Sequence, residues 1–487
     1  MNRSPLREIA APYKYRLLIP AATCYIILVF FTKDNPFFWD TVQLASKQAH
    51  WYYDHDFQYF FLPQIIDSGH PPFFGMALAA LWKAFGRELW VGHLAMLPFL
   101  LGILASAYHI AKYFFDSRGI TVLLLLLVCD PFILGQGALV SPDVPLLFAW
   151  LLGIYAILYH RFMLKIIASL LLVMISMRGM MLVLVLYLFD TWRSTYLYGR
   201  FTFKTIVRSL LPYIPTGIAA LAFLWAHYLH NGWIGYHAGS PWSASFEKVD
   251  FRGAIKNVAL LLWRFMDFGR FALIGFTLAA MGYLVFTKNK TKSLDKKYWQ
   301  HIKELLTLLA IAILVLTPSL ILHQHLSAHR YLMPITTIMS FVFVMLWQNI
   351  FKGAFRQNVA AALIVLFLCT GNLWVYPKKI AQGWDSSLAH LPYFPLREKM
   401  LNYIFEEEIP LQDIGTVFPN NVDLRYIDLR DGYGAMPAAD LQKHQFIFYA
   451  NVFNDFSDQD IEDLEKNWRV KKRFDKHRIC VILYQKK

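Results

Sequence analysis

A chain of 487 residues that is 57% hydrophobic and 17% aromatic but only 16% charged, with a mean hydropathy of +0.39, is not a soluble enzyme. A soluble chain carries about 25% charged residues. The net charge of +14 does not point to nucleic acid, because the basic residues lie in short loops between apolar segments, as the positive-inside rule requires of a membrane protein.

Arg3, Arg7, Lys14 and Arg16 precede the first apolar run, Leu17 to Phe31. That run lacks a small-residue cleavage site and reads as a retained helix with a cytoplasmic N-terminus. Residues 32–88 are then an outer loop. Its stretch from Trp39 to Pro72 is about thirty residues long, against roughly 4–6 for an ordinary connection. It is too aromatic to be a disordered linker. His70 to Phe85 is apolar but short and ends near Lys83 and Arg87, so it reads as a helix lying in the outer interface.

Leu89 to Ala111 is expected to cross inward, Ile120 to Gly137 outward, and Val144 to Tyr159 inward after an outer turn at 138–143. Ile166 to Ser176 and Met180 to Phe189 are each short and meet at Arg178-Gly179, which reads as a hairpin of half-length helices. Leu210 to Leu229 goes out to a second long outer loop, 231–253. Ala254 to Phe286 returns, and Lys288, Lys290, Lys292, Lys296, Lys297 and Lys303 form the most basic inner loop. Leu305 to Leu322, an outer turn at 323–330, Tyr331 to Ile350 and Val359 to Tyr376 complete about eleven spans. The fold class expected is an all-α polytopic membrane domain, residues 1–376, followed by a small α/β domain outside the membrane, residues 377–487. In the second part Val417-Phe418, Arg425 to Leu429, Phe446 to Tyr449 and Ile479 to Tyr484 read as strands. Ser457 to Lys466 reads as a helix capped by Ser457.

Several polar residues sit where they are costly unless used or paired. Asp40 follows three aromatics just outside the first helix; capping is its plainest alternative role. Ser141-Pro142-Asp143 is a good helix start, with Asp143 on the positive end of the dipole. Arg178 needs an anionic partner, either a protein carboxylate or a substrate phosphate. Arg330-Tyr331 opens a helix at its outer end, where an arginine can also simply snorkel. Trp233, Tyr236, His237 and Trp242 can anchor the outer loop or stack on a sugar. Asp54-His55-Asp56 is the metal candidate, since carboxylates and imidazole suit Mg²⁺, Mn²⁺ or Zn²⁺. His323, His325 and His329 are a weaker one, with no carboxylate nearby in sequence. The four cysteines, Cys24, Cys129, Cys369 and Cys480, form neither a metal cluster nor a disulfide framework. There is no Gly-rich phosphate loop after a strand and no Gly-x-Ser-x-Gly elbow, so no motif supports a soluble activated donor.

The order of these signals resembles a known family. An acid after the first helix is followed by Leu62-Pro63, by His70-Pro71-Pro72-Phe73, and by a Ser-Pro-Asp turn that runs on as Asp143-Val144-Pro145-Leu146-Leu147-Phe148. This is similar to the GT-C membrane glycosyltransferases, in particular the branch of protein O-mannosyltransferases and lipid A aminoarabinose transferases, over roughly residues 10 to 350. The resemblance implies that Asp40 acts on the acceptor and that Asp143 is a second essential acid. It implies that Arg178 and Arg330-Tyr331 contact a donor phosphate. His70 and His237, in the two long loops, are the further substrate-binding candidates. The family usually has Asp-Glu where this chain has Asp40-Thr41, and Lys where it has Arg178. The implied reaction is inverting transfer of one sugar from a polyprenyl-phosphate donor to a lipid, glycan or protein acceptor on the outer side of the inner (plasma) membrane, with the C-terminus outside. A transporter or lipid flippase is the alternative; inverted repeats would mark it, and the sequence shows no internal repeat.

Overall fold

The computed structural model describes residues 16–199, 202–240, 242–286, 295–324, 326–350 and 353–487. Five helices are long and apolar enough to cross a membrane: Leu89–Phe114, Phe203–Asn231, Lys296–Leu322, His329–Ile350 and Ala354–Gly371. A sixth span is formed if Ser117–Cys129 and Pro131–Gly137, bent by 54°, are taken as one. Pro131 causes that break: it has no N–H to continue the first helix and a φ suited to starting the second. Asp130 caps the new start, accepting from the amides of Phe132 at 2.9 Å and Ile133 at 3.4 Å. Leu18–Thr32, Asp143–Leu158, Phe162–Ile175 and Arg270–Phe286 are shorter. Eleven spans are reached only by counting these with Met177–Tyr198.

Two expectations in this part need correction. The long outer loop is not irregular throughout. A π-helical turn, Val42–Ser46, runs into a helix, Lys47–Asp54. Val42, Ala45, Ala49 and Tyr52 are its buried face, at helical spacing. The half-length hairpin is also wrong. The break falls at Ser176, and the helix after it, Met177–Tyr198, has 22 residues. Gly179 lets the two helices meet there, since a Cβ would lie 1.8 Å from the Leu172 carbonyl oxygen. The helix expected within His70 to Phe85 is present as Phe73–Phe85. Lys288, Lys290 and Lys292 of the basic loop lie outside the described residues.

The C-terminal part is a four-stranded sheet in the order β1-β2-β4-β3. The strands are β1 (Ile414–Gly415), β2 (Phe446–Ala450), β3 (Trp468–Lys476) and β4 (Ile479–Lys486). β1 and β2 are parallel, and the other neighbours are antiparallel. His477 and Arg478, both with positive φ, make the two-residue β3–β4 turn. The helix expected from Ser457 is there as Asp458–Asn467 with its capping box. The strand expected at Arg425 to Leu429 is instead a short helix, Leu424–Ile427, capped by Asp423. Val417-Phe418 lies just beyond β1 rather than in it.

This domain is fastened to the loop of residues 32–88. Phe38 and Leu139 belong to its hydrophobic core, while Leu424 and Ile427 join the core of the helical part. Arg425 pairs with Asp54 at 2.6 Å, and Arg87 pairs with Asp431. His50 is packed between Trp82 and Tyr426 at the same junction. Burial pushes the imidazole of His50 down to about 4, as it does His390 under Phe38. The unfolded chain holds protons on these groups up to about 6.5. Folded-state stability is therefore full above about pH 6.5 and falls as the pH drops towards 4, because the unfolded state binds more protons in that window. A thermal unfolding midpoint that drops between pH 7.5 and 5 is the expected result; a midpoint that holds or rises would remove these imidazoles as determinants.

Candidate active site

Asp40 is placed by a short turn. The Phe38 amide donates to Thr41 Oγ1 at 2.9 Å, and Thr41 Oγ1 donates back to the Phe38 carbonyl at 2.7 Å. Phe38 itself is buried against His390, Tyr393 and Phe394. Trp39, between them, has φ 50°, a left-handed conformation uncommon for a bulky residue. Thr41, which stands where an acid was expected from the resemblance, is thus a turn residue that fixes its neighbour.

Asp143 opens its helix. Pro142 immediately precedes it, and Ser141 Oγ accepts from the Asp143 amide at 3.2 Å. Arg178 is the second residue of Met177–Tyr198, whose start Ser176 caps by accepting from the Gly179 amide at 3.2 Å. Arg178 Nη1 donates to Asp143 Oδ1 at 2.5 Å, and its guanidinium lies 4.0 Å over the ring of Tyr331. The anionic partner of Arg178 in this structure is therefore a protein carboxylate.

Arg330 is the centre of the arrangement. It sits in the tight turn His329–Leu332, with its side chain 6% exposed. Nη2 pairs with Asp40, Nη1 with Asp385, and Nε lies 3.3 Å from Asp143 Oδ2. Nη2 also donates to the Tyr331 hydroxyl at 3.2 Å. Such forked donation is what a guanidinium offers and an ammonium does not. The pocket among them is lined by Asp40, Thr41, Ser141, Asp143, Arg330 and Asp385. Its free space, about 10 Å³, suits on the order of one water molecule.

Asp385 was not singled out in the sequence. It comes from the segment after the last long helix, which lies on the short helix Pro131–Gly137. Gly135 permits that approach: a Cβ there would meet the Ser387 amide nitrogen at 2.5 Å. Gln136 Nε2 donates to the Asp385 carbonyl at 2.8 Å, and Ser386 Oγ donates to its carboxylate at 2.9 Å. Burial alone would raise this carboxyl, but the charge and hydrogen bonds of Arg330 hold it below the usual carboxylate range. Asp455 of the sheet domain does not line this pocket but lies within electrostatic reach of Asp40. Partial burial and the charge of Asp40 push its carboxyl up.

His70 lies beside this cluster. Its Nδ1 is buried without a partner among the described residues, and burial together with the charge of Arg178 pushes the imidazole down to about 4. Next to it Asp67 holds the loops 32–88 and 231–253 together. Its Oδ2 accepts from His227 Nε2 at 2.8 Å and Asn231 Nδ2 at 2.7 Å, and its Oδ1 from the Gly69 amide at 2.7 Å. Gly69 has φ +70°, and a Cβ would lie 2.4 Å from the Gly235 carbonyl oxygen. This lock needs glycine at position 69, for its left-handed backbone and for the close approach.

The structure does not bring the remaining candidates to the pocket. His237 bonds the Gln64 carbonyl at 3.1 Å, which makes it a contact between loops. The metal candidate comes apart, because each of its members has another partner. Asp54 pairs with Arg425, Asp56 with Lys83, and His55 Nδ1 with the Trp51 carbonyl. His323 bonds the Ser319 carbonyl, His329 bonds Asp267, and His325 lies outside the described residues. Among the described residues no three His, Cys, Asp or Glu side chains converge as metal ligands. Around Arg330 the carboxylates converge on a guanidinium instead.

No protein-family model matches the sequence, and no curated protein matches it. Solved structures do. ArnT from Cupriavidus metallidurans bound to undecaprenyl phosphate superposes with a TM-score of 0.54 at 11% identity, over 96% of this chain and 98% of that one. Its apo state gives 0.52 at 10% identity, over 96% and 97%. The mycobacterial arabinofuranosyltransferase AftD gives 0.50 at 10% identity, over 97% of this chain and 40% of that one. Identity at this level speaks for the fold, and the chain is an integral membrane protein with the fold of the GT-C glycosyltransferases.

Proposed function

We propose that this protein is an inverting glycosyltransferase. It moves one sugar from a polyprenyl-phosphate donor to a lipid, glycan or protein acceptor on the outer side of the membrane. The observation that supports this best is the ion-pair cluster at one pocket, in which Arg330 joins Asp40 to Asp143 and Arg178 holds Asp143 from behind. The acceptor oxygen forms a bond to the anomeric carbon as the bond from that carbon to the phosphate oxygen breaks. The bonding pair leaves on the phosphate, and the acceptor proton goes to Asp40. Fixed cationic groups aimed at the departing phosphate stabilise the charge that develops there more than anything else such a site can offer, and Arg178 and Arg330 are those groups. Asp143 holds both arginines in position. Undecaprenyl phosphate, bound in the ArnT structure, is the class of carrier that suits two guanidiniums at the edge of a membrane.

Mass spectrometry of envelope lipids and glycoproteins, with and without the protein, tests this. Loss of a species heavier by one sugar is expected, and identical profiles would refute transfer. Sidedness has its own test. Lys297→Cys is expected to be shielded from an impermeant thiol reagent in intact cells and Ser457→Cys to be labelled, with the unsubstituted protein as blank. The opposite labelling would place the reaction on the cytoplasmic side.

A further inference from the structure

The pocket holds three carboxylates, Asp40, Asp143 and Asp385, against two guanidiniums, Arg178 and Arg330. Nearby His70 does not alter that balance, because its buried imidazole is neutral. Outside the pocket lining, Asp267 is occupied by His329 and Tyr376, and Arg264 within electrostatic reach offsets its charge. A site with one negative charge in excess does not readily admit a phosphate, which adds at least one more. The free space is also too small for a phosphate as it stands. One carboxylate must therefore give way.

The three are not held alike. Asp143 is 5% exposed and has Arg178 as a second partner. Asp385 is 6% exposed and has Ser386. Asp40 is 27% exposed, and Arg330 is the partner that holds its carboxylate. It lies on the open side of the cluster and has the fewest bonds to break.

We infer that Asp40 is a displaceable latch on Arg330: the phosphate of a polyprenyl phosphate takes its place on Nη2, and Asp40 is freed to act only once the donor is seated. This rests on the glycosyltransferase reading above and adds an order to it. In the empty site the base is neutralised by the same arginine that awaits the leaving group. Loading the donor exchanges one ion pair for another and releases the carboxylate towards the acceptor. The wild-type affinity for the carrier is lowered by the latch, since only the unlatched fraction is competent to bind.

The test is equilibrium binding of labelled, sugar-free undecaprenyl phosphate to the full-length protein in lipid nanodiscs. Asp40→Asn is expected to bind it about fivefold more tightly or better, the latch being gone. Asp385→Asn removes the same charge but loosens the support of Arg330, and is expected to bind no more tightly than wild type. Equal tightening in both would mean that bulk charge alone is at work and would overturn the latch. Unchanged or weaker binding by Asp40→Asn would overturn it too. Asp40→Ser makes the same removal should the Asn variant not fold. If the wild-type protein binds no undecaprenyl phosphate, the donor reading itself fails. If it binds and Asp40→Asn is no tighter, only the latch fails.

Discussion

Replacing Arg330 by alanine is expected to damage the protein more than any other single change in the pocket. Its guanidinium touches Asp40, Asp143 and Asp385, and all but 6% of its side chain is buried. Without it, Asp143 keeps Arg178, but Asp385 is left as a buried charge with only Ser386 to satisfy it. Breaking a buried ion pair from one side costs roughly 3–5 kcal/mol, because the remaining charge is uncompensated. The contact between the segment 384–387 and the short helix Pro131–Gly137 is expected to loosen as a result. Arg330→Lys separates fold from chemistry. One ammonium cannot reach three carboxylates at once, yet it keeps the charge. That variant is expected to insert and fold while its transfer rate falls by about 10²-fold or more, the effect of losing a donor aimed at the leaving group. Thermal unfolding of both variants and initial transfer rates of the lysine variant check this. An alanine variant as stable as wild type would show that the three acids are not held by Arg330.

Much of this pocket was legible in the sequence, and the reasons are local. Asp40 next to an apolar helix, Asp143 in a Ser-Pro-Asp start, and Arg178 and Arg330 at helix ends each conflict with a lipid environment unless paired. Cost of that kind is visible in one dimension; the identity of the partner is not. Asp385 and Asp455 lie in a polar segment where a carboxylate costs nothing, so their approach to Arg330 and Asp40 is a product of tertiary packing alone. The same difference explains the elements. Apolar helices announce themselves by length. The helix Lys47–Asp54 was hidden by Lys47, Gln48 and His50 around an otherwise regular buried stripe. The strand Trp468–Lys476 was hidden because its exposed face is charged along its length, as suits the edge strand it proves to be. The Asp54-His55-Asp56 cluster failed for the converse reason. Adjacent residues in a chain do not share a face, and both acids find cations across the fold.

Asp40→Asn is expected to give a folded, membrane-inserted protein that seats the donor and turns it over about 10²–10⁴-fold more slowly, the usual contribution of a positioned general base. Asparagine keeps the size of the side chain but gives up the charge that pairs with Arg330, and the turn built by Phe38 and Thr41, which does not depend on that pair, persists. What it cannot do is take the acceptor proton as the sugar leaves the phosphate. Asp143→Asn tests less. It weakens the holds on Arg178 and Arg330 together, so lost turnover there mixes chemistry with lost position. The decisive measurement is single-turnover transfer by purified Asp40→Asn with saturating donor, which removes binding from the comparison. Slow transfer from a fully loaded enzyme assigns the proton to Asp40. Near-normal transfer would take Asp40 out of the chemical step. It would pass the role to Asp143 or Asp385, the other two carboxylates that line the pocket.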